Sequence, residues 1–108
     1  MAAMRATLHQ LEQTIARRRS ADPSQSYVAK LTSRGRAKIA QKVGEEAVET
    51  VIAALSGDTA DTIGESADLL FHLFVLLADC GIPLDSVLDE LERREGLSGL
   101  AEKAARPD

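Results

Sequence analysis

Residues 37–55 read AKIAQKVGEEAVETVIAAL, residues 59–79 read TADTIGESADLLFHLFVLLAD, and between them stand Ser56, Gly57 and Asp58. In the first stretch Ile39, Val43, Ala47, Val51 and Leu55 recur every fourth residue, the spacing that places side chains along one side of a helix. The second stretch is apolar nearly all round over residues 69–77, so across that length it has no water-facing side. Such a segment is either the centre of a helical bundle or part of a dimer interface. Gly57 suits the C-terminal position of the first helix and Asp58 the N-cap of the second. The two stretches are therefore predicted to be antiparallel helical neighbours joined by a tight turn.

The same period extends outward. Leu8, Leu11 and Ile15 mark one face of a first helix that ends in the basic run Arg17, Arg18 and Arg19. Residues 20–26 are a turn-rich segment around Pro23. Tyr27–Arg34 reads as a short helix stopped by Gly35, and Ile82-Pro83 introduces a last one, Leu84–Glu95, with Val87, Leu88 and Leu91 inward. The tail from Gly96 onward is polar and expected to fray. Strand-like alternation, repeats and linkers are absent. The chain of 108 residues thus reads as a single all-α domain, an antiparallel bundle of about five helices. Aromatic residues are only 3% of it, so the core must be built from Leu, Val, Ile and Ala, and a domain this small gains from a partner chain.

A single cysteine, Cys80, excludes an internal disulfide, a Cys-based zinc site and a CxxC redox pair. Its plain reading is a small, inert residue near a helix end. No apolar run has signal-peptide or membrane-spanning length, which gives the expectation of a reducing, cytoplasmic setting and no membrane partner. The net charge of −4 is unevenly divided: residues 1–44 carry +7 and residues 45–108 carry −11. The two halves either attract each other within one bundle or supply cations and carboxylates to one site. The basic run at residues 17–19 lacks interleaved aromatics and a net basic domain, so nucleic-acid binding is not expected.

Two acidic motifs fall on the two central helices: Glu45, Glu46 and Glu49 on the first, Glu65 and Asp68 on the second. At ~100° per residue, Glu46 and Glu49 lie about 60° apart with Lys42 between them, Lys38 close to Glu49 and Glu45 about 40° beyond it. Counted from the Ser56-Gly57 turn, Glu49 and Glu65 are each about two helical turns away, so the two acidic pairs are at one level and can face each other. Four converging carboxylates repel unless protonated or neutralised by cations. Hard oxygen donors without Cys select Mg²⁺ or Mn²⁺. A di-iron site wants Glu-x-x-His on two helices, and neither His9 nor His72 has a Glu three residues before it. The competing reading is a solvated acidic stripe paired to Lys38 and Lys42. Asp68 weighs against it, because it borders the all-apolar stretch, where a buried carboxylate must be paired or metal-bound. His72 reads as a hydrogen-bonded core residue before it reads as a ligand.

ExxE, a spacer of fifteen residues and ExxD resembles the metal-binding signature of the all-α nucleoside triphosphate pyrophosphatase superfamily, which includes MazG-type proteins and dimeric dUTPases. At finer grain, residues 22–31, residues 38–49, residues 67–73 and residues 84–94 are similar to ordered segments of the phosphoribosyl-ATP pyrophosphatase family, a match covering roughly residues 8–95. The resemblance implies hydrolysis of N1-(5-phosphoribosyl)-ATP to the AMP derivative and pyrophosphate, the second step of histidine biosynthesis, by in-line attack of a metal-activated water. It implies Glu46, Glu49, Glu65 and Asp68 as metal ligands, with Glu45 an outer ligand or water-orienting base. Lys30, Lys38 and Lys42 are implied phosphate contacts, and Tyr27 and Ser26 pocket residues, though packing explains Tyr27 equally well. A helical homodimer is implied as well. With one cysteine the chain is expected to be the separate pyrophosphatase rather than a fusion to a zinc-dependent cyclohydrolase. Residues 1–7 and the tail match no family segment and are assigned no chemistry. Two alternatives stay open: a house-cleaning pyrophosphatase for dCTP or other nucleotides on the same fold, and a non-catalytic helical interaction module.

Overall fold

The computed structural model describes residues 2–95, and the expectation for the tail from Gly96 lies outside them. Five helices follow in order: α1 (Ala2–Arg18), α2 (Tyr27–Arg34), α3 (Arg36–Ser56), α4 (Thr59–Cys80) and α5 (Leu84–Glu95). No strand occurs among the described residues. The all-α expectation holds, and the boundaries fall where the capping chemistry put them. Ser26 caps α2 by accepting from the Ala29 amide. Gly57 ends α3 in the left-handed region with φ 81°, where a side chain would be strained. Asp58 then caps α4 by accepting from the Asp61 amide, and Gly81 ends α4 with φ 71°. No single helix among the described residues is long and apolar enough to cross a membrane.

The two-residue turn at Gly57 and Asp58 folds α4 back on α3, and this pair packs most extensively. Ile15 of α1, Val28 and Leu31 of α2, Ile39 of α3, Phe74 and Val75 of α4, and Leu84 of α5 form the core, with Leu8, Leu11, Phe71 and Leu88 against it. Each such aliphatic side chain stabilises the fold by about 1.5–3 kcal/mol relative to exposure. Polar links fix the periphery. The Glu12 carboxylate accepts from the Leu84 amide at 2.8 Å, tying α1 to the start of α5, and His9 meets Asp85 at 2.8 Å. Asp79 holds three helix ends together, receiving Arg36 of α3 at 2.9 Å and Arg19, just beyond α1, at 3.4 Å.

The inward row expected on α3 is corrected in part. Ile39 is buried and Val43 and Ala47 half-buried, but Val51 and Leu55 are 56% and 83% exposed. Each step of four residues advances about 400°, so a row of such steps drifts about 40° per step and winds from the core side to the far side. The side of α3 that faces α4 is instead Ile39, Glu46 and Ala53. Val48, Val51, Ile52 and Leu55 form a second apolar face on the opposite side, and Ile63 and Leu70 of α4 are exposed as well. Leu91 is likewise exposed, two turns beyond buried Leu84 on α5. Cys80 is a free thiol, exposed at the last residue of α4.

Candidate functional site

The site is built on the α3–α4 hairpin. Glu46 lies on the α3 face that packs against α4 and is buried. Glu49 is one turn nearer the hairpin and exposed, and Glu65 reaches toward both from α4, half-buried. One carboxylate oxygen from each of these three residues lies within 4.8 Å of the others. Such crowding has an electrostatic signature: the neighbouring Glu49 carboxylate, then burial and Glu46, push the Glu65 carboxyl up to about 7. Glu46 Oε2 and Glu65 Oε2 are both buried and without a hydrogen-bond partner. A buried carboxylate oxygen with no donor is costly unless a cation satisfies it, so this donor set fits a hard divalent ion.

Lys42 stands one turn before Glu46, 3.7 Å from its Oε1 and 3.3 Å from a Glu45 oxygen. Those contacts, Glu45 foremost, raise the Lys42 ammonium above its ordinary value. Glu45 is exposed, and its carboxylate accepts from Gln41 at 2.8 Å as well as pairing with Lys42. Gln41 first and Lys42 second hold its carboxyl below the usual range. Lys38 is half-buried one turn earlier, and its charge acts on Glu45.

Asp68 is exposed in the single chain and outside the group of three carboxylates. The expectation that its apolar neighbours would withdraw it from water is not met. Residues one and two places along a helix point to other faces and give no cover; what packs across from a side chain decides its burial. Asp61, which the sequence motifs do not single out, lines a cleft of about 200 Å³ with Glu49, Ser56 and Glu65. Its spacing of four from Glu65 was the available signal.

Tyr27 stands at the other end of the site, within electrostatic reach of Lys42. Two open clefts meet at this ring. One, of about 420 Å³, is lined by Arg18, Gln25, Ser26, Tyr27 and Phe71. The other, of about 480 Å³, includes Ser24, Ser26, Tyr27 and Lys30. Arg18 and Gln25 are not expected site residues, since a basic run followed by a turn carries no distinctive spacing to find them.

Comparison with known proteins joins this geometry to a family. The profile described as phosphoribosyl-ATP pyrophosphohydrolase matches residues 8–95, which span both acidic motifs and both clefts. This chain belongs to the phosphoribosyl-ATP pyrophosphohydrolase family. Curated relatives agree over nearly the whole length. The phosphoribosyl-ATP pyrophosphatase of Rhizorhabdus wittichii is 69% identical over 104 residues, covering 96% of this chain and 98% of its own. That of Erythrobacter litoralis is 64% identical, covering 94% and 98%. That of Zymomonas mobilis is 62% identical, covering 94% of each.

Proposed function

We propose that this chain hydrolyses N1-(5-phosphoribosyl)-ATP to N1-(5-phosphoribosyl)-AMP and pyrophosphate, the second step of histidine biosynthesis, as a Mg²⁺-dependent cytoplasmic homodimer. The observation that carries the chemistry is the group Glu46, Glu49 and Glu65, with two buried carboxylate oxygens lacking any protein donor. These three residues would hold Mg²⁺, with Mn²⁺ an alternative of the same chemistry. Asp68, one turn along α4 from Glu65, would be a further ligand. A divalent ion held there would supply positive charge to phosphate oxygens and would acidify a water for attack.

The protein's own groups do the rest. Lys42 remains cationic beside Glu46 and is the nearest ammonium to the carboxylates, placed to take charge from the departing pyrophosphate. Lys38 and Lys30 extend the cationic lining on either side. Glu45, 3.3 Å from the Lys42 ammonium, would orient that cation and serve as an outer ligand or water-orienting base. Tyr27 and Ser26 border the clefts that take the nucleoside and phosphoribosyl parts.

The dimer rests on the second apolar face of α3. A helix with Ile39, Glu46 and Ala53 buried on one side and Val48, Val51, Ile52 and Leu55 bare on the other has an unsatisfied hydrophobic surface. A second copy supplies a cover of matching character, turning the α3–α4 hairpin into half of a four-helix layer.

Pyrophosphate release from phosphoribosyl-ATP, ATP and dCTP tests the substrate assignment. Turnover confined to phosphoribosyl-ATP is the expected result. Preferential turnover of dCTP would overturn the histidine assignment while leaving the carboxylate chemistry in place.

A further inference from the structure

Among the described residues, the buried polar or charged side chains are Glu46 and His72. Glu46 belongs to the carboxylate group, whereas His72 stands outside it. Both its ring nitrogens are engaged. Nδ1 lies 2.7 Å from the Asp68 carbonyl oxygen. A carbonyl only accepts, so Nδ1 carries a proton and donates it. In the neutral ring Nε2 is then an acceptor, and it lies 2.8 Å from the Tyr27 hydroxyl. The phenol therefore donates its one proton to His72, and its oxygen has only lone pairs left to offer.

Tyr27 is 48% exposed, yet its ring is held by two others. It stacks on Phe71 with centroids 6.1 Å apart and meets the His72 ring edge-on at 5.7 Å. Phe71 and His72 are themselves edge-on at 5.3 Å. An exposed side chain ordinarily changes rotamer within nanoseconds. Here the hydrogen bond to a buried imidazole, itself anchored on the α4 backbone, fixes the phenol where two clefts meet.

We infer that His72 is a positioning residue for the hydrolysis: it orients the Tyr27 phenol oxygen as a pure hydrogen-bond acceptor toward the cleft, where it receives a donor group of the nucleotide and not a phosphate oxygen. The inference rests on the proposed placement of substrate against Tyr27. The donor is a hydroxyl of either ribose or the amine of the base, and the test separates these.

The experiment compares Tyr27→Phe, His72→Leu, His72→Gln and the Tyr27→Phe/His72→Leu double variant in steady-state hydrolysis of phosphoribosyl-ATP. Loss of one neutral hydrogen bond is expected to raise KM roughly two- to twelvefold with little change in kcat. The double variant is expected to match Tyr27→Phe, because the two residues act through one contact. Glutamine places an acceptor near the Nε2 position, so His72→Gln is expected to restore KM toward the parent. Additive KM effects, or a His72→Gln protein as impaired as His72→Leu, would overturn the inference.

Tyr27 is the chain's single tyrosine and there is no tryptophan, so the near-ultraviolet tyrosine circular dichroism reports on this ring alone. That band is expected to weaken in His72→Leu and to survive in His72→Gln. Should His72→Leu fail to fold, Tyr27→Phe and His72→Gln still decide the matter. Competition by ATP, dideoxy-ATP and inosine triphosphate assigns the donor. Tyr27→Phe weakens ATP while sparing dideoxy-ATP if the donor is an adenosine hydroxyl, and while sparing inosine triphosphate if it is the amine. It spares all three if the donor is on the phosphoribosyl group. Equal weakening of all three together with inorganic pyrophosphate would mean a phosphate contact and overturn the inference. An unchanged KM in Tyr27→Phe would overturn it too, and leave the carboxylate chemistry, which Glu49→Gln probes separately, standing.

Discussion

Replacing Glu65 by glutamine is expected to stabilise the metal-free protein while removing its turnover. Glu65 ordinarily ionises at 4.5, and in the fold Glu49, burial and Glu46 push it up to about 7. Between those values the folded chain binds a proton that the unfolded chain has released. Stability of the metal-free protein therefore falls as pH rises from about 4.5 through about 7, and this group's contribution is flat above that. Glutamine has nearly the same shape and no charge, so it removes the repulsion and the pH dependence together. For activity the sign reverses. Changing an outer partner of a metal ligand typically costs 10–100-fold, and a direct ligand is expected to cost at least about 100-fold. Thermal melts in EDTA at pH 5, 6, 7 and 8, run beside pyrophosphate release with Mg²⁺, read both effects. A melting point of the Glu65→Gln protein at pH 8 no higher than the parent's would refute the crowding of the three carboxylates. Near-normal turnover would refute Glu65 as a ligand.

Ile39, fully buried in the core, is expected to cost about 2–5 kcal/mol when cut to alanine, measured by urea unfolding. Leu55→Glu is expected to yield monomers. Each copy loses about 1.5–3 kcal/mol of burial at a symmetric interface, raising the dissociation constant by roughly a factor of 100 or more, as read by sedimentation equilibrium. Asp79→Asn is expected to cost about 1–3 kcal/mol at neutral pH by loosening the ends held by Arg36 and Arg19. Because Arg36 foremost holds the Asp79 carboxyl below its ordinary 3.8, that contribution is present above 3.8 and lost as pH falls below it, so parent and variant converge in acid.

Much of this fold was legible because its boundaries are written in residues with one physical use. Gly57 and Gly81 occupy left-handed positions, and Ser26 and Asp58 cap helices with their side chains. The meeting of Glu46, Glu49 and Glu65 followed from equal distances along two helices joined by a two-residue turn. What was not legible depends on what lies across from a residue in space. Asp68 shares the stripe of Glu65 but opens to water, and Val51 and Leu55 wind away from α4. The pairing of Tyr27 with His72 spans 45 positions between two helices not consecutive in the chain. No period links those residues, so only the packed structure brings their atoms together. The sequence marks His72 as a hydrogen-bonded core residue without naming its partner.

The dependence of phosphoribosyl-ATP turnover on Mg²⁺, measured in the parent and in Glu49→Gln, bears most directly on the carboxylate group as a metal site. The parent is expected to fall to background in EDTA and to recover as Mg²⁺ is restored. Glu49→Gln, with an unchanged helical spectrum, is expected to need far more Mg²⁺ and to stay well below the parent at saturation. Full turnover of the parent in EDTA, or a Glu49→Gln curve lying on the parent's, would contradict it.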